Sequence, residues 1–302
     1  VMLSALALVA SLDAASTFDM LALAAWGRRL TWRETRFTSA LAYALGHVGA
    51  AGIALGSALR FRAYQRHELS GGDAAVISGA VAGISMVGGL SLVGLGAAGS
   101  LGQASAAAHL SPVLGAVLAI LGLKALATFL LAPRMGPMRS LLPGRRVRLA
   151  IVAASTVEWM ASALVLYVLL PPETRGLLLH FLPVFGLAGL LGGVSGLPAG
   201  LGAFDAIILA VLGPRLGAAE VAAALMLYRL IDVVVPLMLA ACLIALQSSR
   251  AALLGRRSLG VLQQGWAEIA PSVFGLLTFA AGVVMLVSVA TPDARPRLRL
   301  LA

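Results

Sequence analysis

Ala74-Ala75-Val76-Ile77-Ser78-Gly79-Ala80-Val81-Ala82-Gly83-Ile84-Ser85-Met86-Val87-Gly88-Gly89-Leu90-Ser91-Leu92-Val93-Gly94-Leu95-Gly96-Ala97-Ala98 carries no charged side chain. As a helix, a run of this length crosses about 30 Å of hydrocarbon. Its apolar residues do not alternate, which excludes a barrel strand, and an intact helix satisfies its own backbone in lipid. Comparable runs fall at 1–26, 37–59, 110–132, 149–170, 178–196, 199–213, 220–246 and 268–290. The fold expected is therefore all-α, a polytopic transmembrane helix bundle of about eight to nine apolar segments.

Composition agrees over the 302 residues. Hydrophobic residues make up 60%, charged residues 11%, and the mean hydropathy is +0.99. A soluble domain is about a quarter charged, so a soluble enzyme, a disordered chain and a secreted disulfide scaffold are excluded. The 22 Lys+Arg against 12 Asp+Glu give a net charge of +10. The basic residues sit between apolar runs, so they read as loops facing anionic lipid rather than as a nucleic-acid surface. Lys124 is the only lysine, which with the Ala, Leu and Gly content points to a GC-rich bacterial genome. Cys242 is the only cysteine and reads as a packing residue. His47, His67, His109 and His180 lack ligand spacing, so no metal is expected, and no cofactor motif is present. The chain opens on Val1 inside an apolar run, and reads as a segment of a longer protein forming one integral membrane domain over 1–302.

Two stretches break the helical pattern. Residues 27–36 hold four Arg and one Glu, and residues 133–148 hold five Arg. Strict alternation of full spans puts these basic loops on opposite sides, against the positive-inside rule. The conflict disappears if 37–59, with Gly46, Gly49, Gly52 and Gly56, enters and returns or forms two half-helices. The second break is Gly196-Leu197-Pro198-Ala199-Gly200-Leu201-Gly202-Ala203-Phe204-Asp205, where proline and glycines cannot continue a regular helix. Broken or re-entrant helices are thus expected near 37–64 and 196–213. One in each half points to a midplane transport site. Loops 27–36, 133–148 and 247–267 are expected on the cytoplasmic side, and 99–109 and 171–177 outside.

Ionisable residues within spans mark pathways or pairs. They are Asp13, Asp19, Lys124, Glu158, Asp205, Arg229 and Asp232. Asp13 and Asp19 are six apart and cannot serve one site. Lys124 is placed to snorkel. Arg229 and Asp232, three apart, share a helix face and can pair locally. Arg60-Phe61-Arg62-Ala63-Tyr64 places two arginines with interleaved aromatics at the mouth of a broken element, a pattern that suits a phosphodiester or an ordinary basic flank. The turn from Pro198 through Gly200 to Gly202 offers backbone N–H groups ahead of a helix, which favour an anion, or serves as a packing bend.

Several stretches together resemble one family. Phe18-Asp19-Met20-Leu21-Ala22-Leu23, Gly56-Ser57-Ala58-Leu59-Arg60-Phe61-Arg62-Ala63-Tyr64, Leu197 to Asp205, Leu227-Tyr228-Arg229-Leu230-Ile231 and Ser288-Val289-Ala290-Thr291-Pro292 are similar, in order, to motifs of the multiple peptide resistance factor family. These are bifunctional lysyl-phosphatidylglycerol synthase/flippases, and the chain resembles their membrane flippase domain. Phe61 stands where Tyr is usual, Ala199 where Gly is, and Asp205 where Glu is. The Pro-x-Gly-Leu-Gly and Tyr-Arg stretches also belong to a broader family of uncharacterised membrane proteins.

The resemblance implies a flippase moving aminoacylated, usually lysyl-, phosphatidylglycerol from the inner to the outer leaflet of the bacterial cytoplasmic membrane, with resistance to cationic antimicrobial peptides. It further implies a homodimer, and a separate aminoacyl-tRNA-dependent transferase domain absent from this chain. On this reading Arg60, Arg62 and Tyr64 take the substrate phosphate. Asp205, Glu158 and Asp232 are the candidates for its cation, Asp205 first. Pro198, Gly200, Gly202, Tyr228 and Arg229 shape the path, and Asp19 is a further candidate. A docking anchor for a lysyltransferase, a transporter of the broader family and a membrane-embedded enzyme are the alternatives. No nucleophile–base set or nucleotide motif supports the last.

Overall fold

The computed structural model describes residues 6, 9–10, 13–25, 30–46, 50–64, 70–100, 112–131, 143–195, 197–239 and 242. The apolar run 268–290, the loop 247–267, the Ser288–Pro292 stretch, and His47, His67 and His109 lie outside them. The described residues are all-helical, without strands, and the protein is a membrane protein. Its helices are α1 (Phe18–Ala25), α2 (Trp32–Gly46), α3 (Ala50–Tyr64), α4 (Gly71–Ser100), α5 (Pro112–Leu131), α6 (Arg145–Leu169), α7 (Leu178–Val194), α8 (Ala203–Leu216) and α9 (Ala218–Arg229).

Among the described residues, four helices are long and apolar enough to cross a membrane: α4, α5, α6 and the stretch Ala218–Leu239 that begins with α9. The elements around the two expected breaks are shorter. In place of one span over 37–59 stand α2 and α3, each of 15 residues. At 1.5 Å per residue each reaches about 22 Å, short of a full crossing. They pack on one another as a hairpin. The pair α7 and α8, of 17 and 14 residues, forms a second hairpin around the Pro198–Gly200 turn. The expected span 1–26 is not one continuous helix, because a turn at Ser16 and Thr17 interrupts it before α1. The Thr17 hydroxyl donates to the Ala14 carbonyl at 2.7 Å there.

The long α4 is the axis of the bundle and packs against α1, α3, α5, α6 and α7. Small residues make this possible, because helices in lipid associate through close backbone approach. A Cβ at Gly94 would lie 2.7 Å from the backbone nitrogen of Leu123, so α4 and α5 cross at a distance only glycine permits. Besides a small cluster of Leu41 and Ala44 with Leu59, two large apolar clusters result among the described residues. One gathers Phe18, Leu23, Tyr64, Ile77 and Ile84, and the other Leu166, Phe181, Phe185, Phe204 and Tyr228. The outward face of α5, with Val113, Val117, Ile120 and Leu121, stays exposed, as a lipid-facing helix requires. Lys124 is also exposed, whereas Cys242, read as a packing residue, is exposed as well.

One irregularity places a site residue. After α9 the chain makes a π-turn over Leu230–Val234, with the Val235 N–H donating to the Leu230 carbonyl. Pro236 has no N–H to give the Asp232 carbonyl four residues before it, and its ring crowds that carbonyl. A wider turn around Asp232 is the consequence.

Candidate functional site

Among the described residues, the polar side chains of the interior include three linked groups. The first joins α1, α3 and α4. Arg60 donates from Nε and Nη2 to Asp19 Oδ1 at 2.9 and 2.8 Å, and from Nη1 to the Ser78 hydroxyl at 2.9 Å. The Tyr64 hydroxyl donates to Asp19 Oδ2 at 2.6 Å. Asp19 is fully buried and Arg60 nearly so. Arg60 and Tyr64, read from sequence as phosphate ligands, are here the partners of Asp19. Arg62, two residues on, is half-buried and no hydrogen bond engages it among the described residues. Asp13 is exposed and shares no site with Asp19, as its spacing implied.

The second group fixes the broken turn. Ala199 has φ 50°, Gly200 φ 64° and Gly202 φ 83°. A Cβ at Gly200 would lie 2.9 Å from the Gly192 Cα, so the turn beginning at Pro198 is pressed directly on α7. Asp205 accepts the Gly202 N–H at 3.1 Å, capping α8. Arg229 reaches across from α9 and donates Nη2 to Asp205 Oδ2 at 3.1 Å and Nη1 to the Ala199 carbonyl. Its guanidinium lies 4.9 Å from the centre of the Phe204 ring. Two readings change. Arg229 pairs with Asp205 and not with Asp232, because the π-turn removes Asp232 from the face that regular three-residue spacing gives it. Asp205, ranked first for a cation, is already neutralised.

The third group lies near the middle of the long helices. Glu158 is near the middle of α6, Ser85 near the middle of α4, and Tyr228 and Asp232 in the central part of Ala218–Leu239. Tyr43, close to the inner end of the α2–α3 hairpin, donates its hydroxyl to Glu158 Oε1. Ser85 donates to Glu158 Oε2 at 3.3 Å and accepts from the Trp159 indole at 3.2 Å. One turn along α6, Ser162 donates to Asp232 Oδ1 at 2.9 Å and lies 3.0 Å from the Tyr228 hydroxyl. Tyr228 is held by stacking on Phe204, 5.6 Å between ring centres. Glu158 is 4% exposed and Asp232 7%.

Among the described residues the ion pairs are Asp19–Arg60 and Asp205–Arg229. Among those residues Glu158 and Asp232 therefore have hydroxyl donors but no cation. Sequence reasoning named both acids, yet missed Tyr43, Ser85 and Ser162. The available signal was the four-residue spacing of Glu158 and Ser162, and isolated hydroxyls inside otherwise apolar runs. Among the described residues no group of His, Cys, Asp and Glu suits a metal ion.

No protein-family model matches the chain. Over 235 residues, 73% of this chain, it is 31% identical to an uncharacterised protein of Synechocystis sp., of which the match covers 70%. Over 89 residues, 28% of the chain, it is 43% identical to the phosphatidylglycerol lysyltransferase of Staphylococcus epidermidis, in each of two strains. That match covers 10% of the lysyltransferase.

Proposed function

The chain belongs to the family of the uncharacterised Synechocystis protein, and from that premise we propose that it moves phospholipids with a cationic headgroup between the leaflets of a bacterial cytoplasmic membrane. The substrate is an aminoacylated phosphatidylglycerol, with the lysyl form first, and protection against cationic antimicrobial peptides is the consequence. The observation that carries this reading is the buried pair of carboxylates, Glu158 and Asp232, near the middle of the long helices, which among the described residues face hydroxyls but no cation. A cation at the centre of a bilayer costs about 2.5–3.5 kcal/mol. A carboxylate on its path offsets that penalty. The similarity to a phosphatidylglycerol lysyltransferase supplies a lipid of the matching charge.

Two half-crossing hairpins give the path. With 27–36 and 133–148 cytoplasmic and 99–109 and 171–177 outside, α2–α3 enters from the cytoplasm and α7–α8 from the opposite face. Their inner ends approach the carboxylates from opposite sides, the arrangement of discontinuous helices around a midplane substrate. Arg62, with free donors at the outer end of α3, meets the lipid phosphate. Labelling of single cysteines in a Cys242-free variant tests this orientation, and external labelling at position 140 overturns it.

A second reading has its own support. The Synechocystis protein is matched over most of its length, whereas the lysyltransferase is matched over a tenth. That favours a lipid transporter of the broader family over a docking anchor. Reconstitution into vesicles decides between them. Lysyl-phosphatidylglycerol placed in one leaflet reaches the other faster with the protein present; an unchanged rate overturns the transport reading and leaves the anchor.

A further inference from the structure

We infer that Glu158 and Asp232 share one proton while the site is empty and release it when a headgroup bearing two ammonium groups enters. This rests on the cation site proposed above and adds the proton as that site's second occupant.

The argument starts from placement. Glu158 and Ser162 are one turn apart on the same face of α6, and the Ser162 hydroxyl bonds Asp232 at 2.9 Å. The two carboxylates therefore flank one turn of one helix, each more than nine-tenths buried. The titratable groups facing them are the phenols of Tyr43 from α2 and Tyr228 from α9. Other charges on the helices packed against α6 are spent or distant. Asp19 is neutralised by Arg60, and Arg229 is held by Asp205. Lys124 of α5 points outward. His180, in the first turn of α7, lies at the level of Tyr167, whose ring meets that of its neighbour Phe181 at 5.5 Å; Tyr167 is nine residues along α6 from Glu158.

Two acids buried one helical turn apart in a medium of low dielectric each disfavour the other's charge, and the proton assigned here belongs to the pair rather than to either residue. The empty site thus carries a single negative charge. A headgroup with one ammonium group balances it and leaves the proton in place. A lysyl headgroup brings two. The O–H bond of the remaining carboxylic acid then breaks, its proton passes to water, and each carboxylate pairs with one ammonium group. When the headgroup leaves, the pair takes a proton back. Cation entry and proton exit are one exchange.

The test is titration calorimetry on the purified full chain in detergent, in buffers of different protonation enthalpy. The probes are short-chain lysyl-phosphatidylglycerol with two ammonium groups, the alanyl lipid with one, and unmodified phosphatidylglycerol with none. At mildly acidic pH, where both amines of the lysyl probe are protonated, about one proton leaves per lysyl lipid bound and none per alanyl lipid. Affinity for the lysyl lipid then rises about tenfold per pH unit, while the alanyl lipid responds little. In Glu158→Gln the release is lost and lysyl affinity falls to the alanyl level; the wild-type arms stand alone if that variant does not fold. Lysyl binding without proton release overturns the shared proton and leaves the cation site standing. Equal affinity for the lysyl and unmodified lipids overturns the cation site itself.

Discussion

Asp19 and Glu158 are both buried carboxylates in one helix bundle, and they are treated in opposite ways. Asp19 receives three donor groups of Arg60 and Tyr64 and is neutralised. Glu158 receives two hydroxyls and no charge. A paired ion in the interior fixes helices relative to one another, since any movement exposes a charge to low dielectric. An acid left with hydroxyls alone favours the arrival of a positive charge. On the proposed function, the Asp19 side of the molecule stays closed, and the Glu158 side is occupied and emptied.

The largest effect expected follows from exchanging the same atoms on the closed side. Asp19→Asn leaves Arg60 charged and buried with no counter-ion. Breaking a buried pair from one side costs about 3–5 kcal/mol. A thermal melt in detergent then finds most of the protein unfolded where the wild type is intact. A variant as stable as the wild type means that Asp19–Arg60 is no clamp, and the contrast with Glu158 collapses.

The open side gives the next effect, and it is functional. Glu158→Gln keeps the shape and one of the two acceptor oxygens, strands no cation among the described residues, and shifts stability by about 1 kcal/mol. Translocation of lysyl-phosphatidylglycerol in vesicles slows about tenfold to a hundredfold, which corresponds to part of the penalty for a cation at the bilayer centre. Unmodified phosphatidylglycerol is moved as before. Equal slowing of both lipids makes Glu158 a structural residue like Asp19.

Much of the fold behind this contrast was legible in the chain before any geometry. Uninterrupted apolar runs define α4, α5 and α6 because a bilayer demands them. The basic loops and glycines located the α2–α3 hairpin, and Pro198 with its glycines located the second break. What the chain order could not convey is which buried charge meets which. Asp19 and Arg60 are 41 residues apart and lie on α1 and α3, so Arg60 read as a free phosphate ligand. Arg229 and Asp232 are near neighbours, so they read as partners. That pairing assumed regular helical spacing, which Pro236 abolishes by opening a π-turn. Tyr43, Ser85 and Ser162 carry no charge and stayed hidden among apolar neighbours, although they decide where Glu158 and Asp232 point.

Asp205 stands between the two cases and sharpens the comparison by the smallest effect. Its carboxylate is paired like that of Asp19, but the pair is less enclosed, with side-chain exposures of 14% for Arg229 and 23% for Asp205. Solvent access weakens such a pair toward about 1 kcal/mol or less. The carboxylate also caps α8 through the Gly202 N–H, a role an amide oxygen keeps. Asp205→Asn therefore retains the cap and loses only the charge, and the melt shifts slightly. Arg229 keeps its bond to the Ala199 carbonyl and its place over Phe204, so the turn holds its shape. The prediction for transport follows from that geometry. If Asp205 serves the turn, translocation of lysyl- and unmodified phosphatidylglycerol changes by the same modest factor. If slowing falls on the cationic lipid alone, Arg229 releases Asp205 during transport. The carboxylate then joins Glu158 and Asp232 on the path, and the division into closed and open sides is drawn in the wrong place.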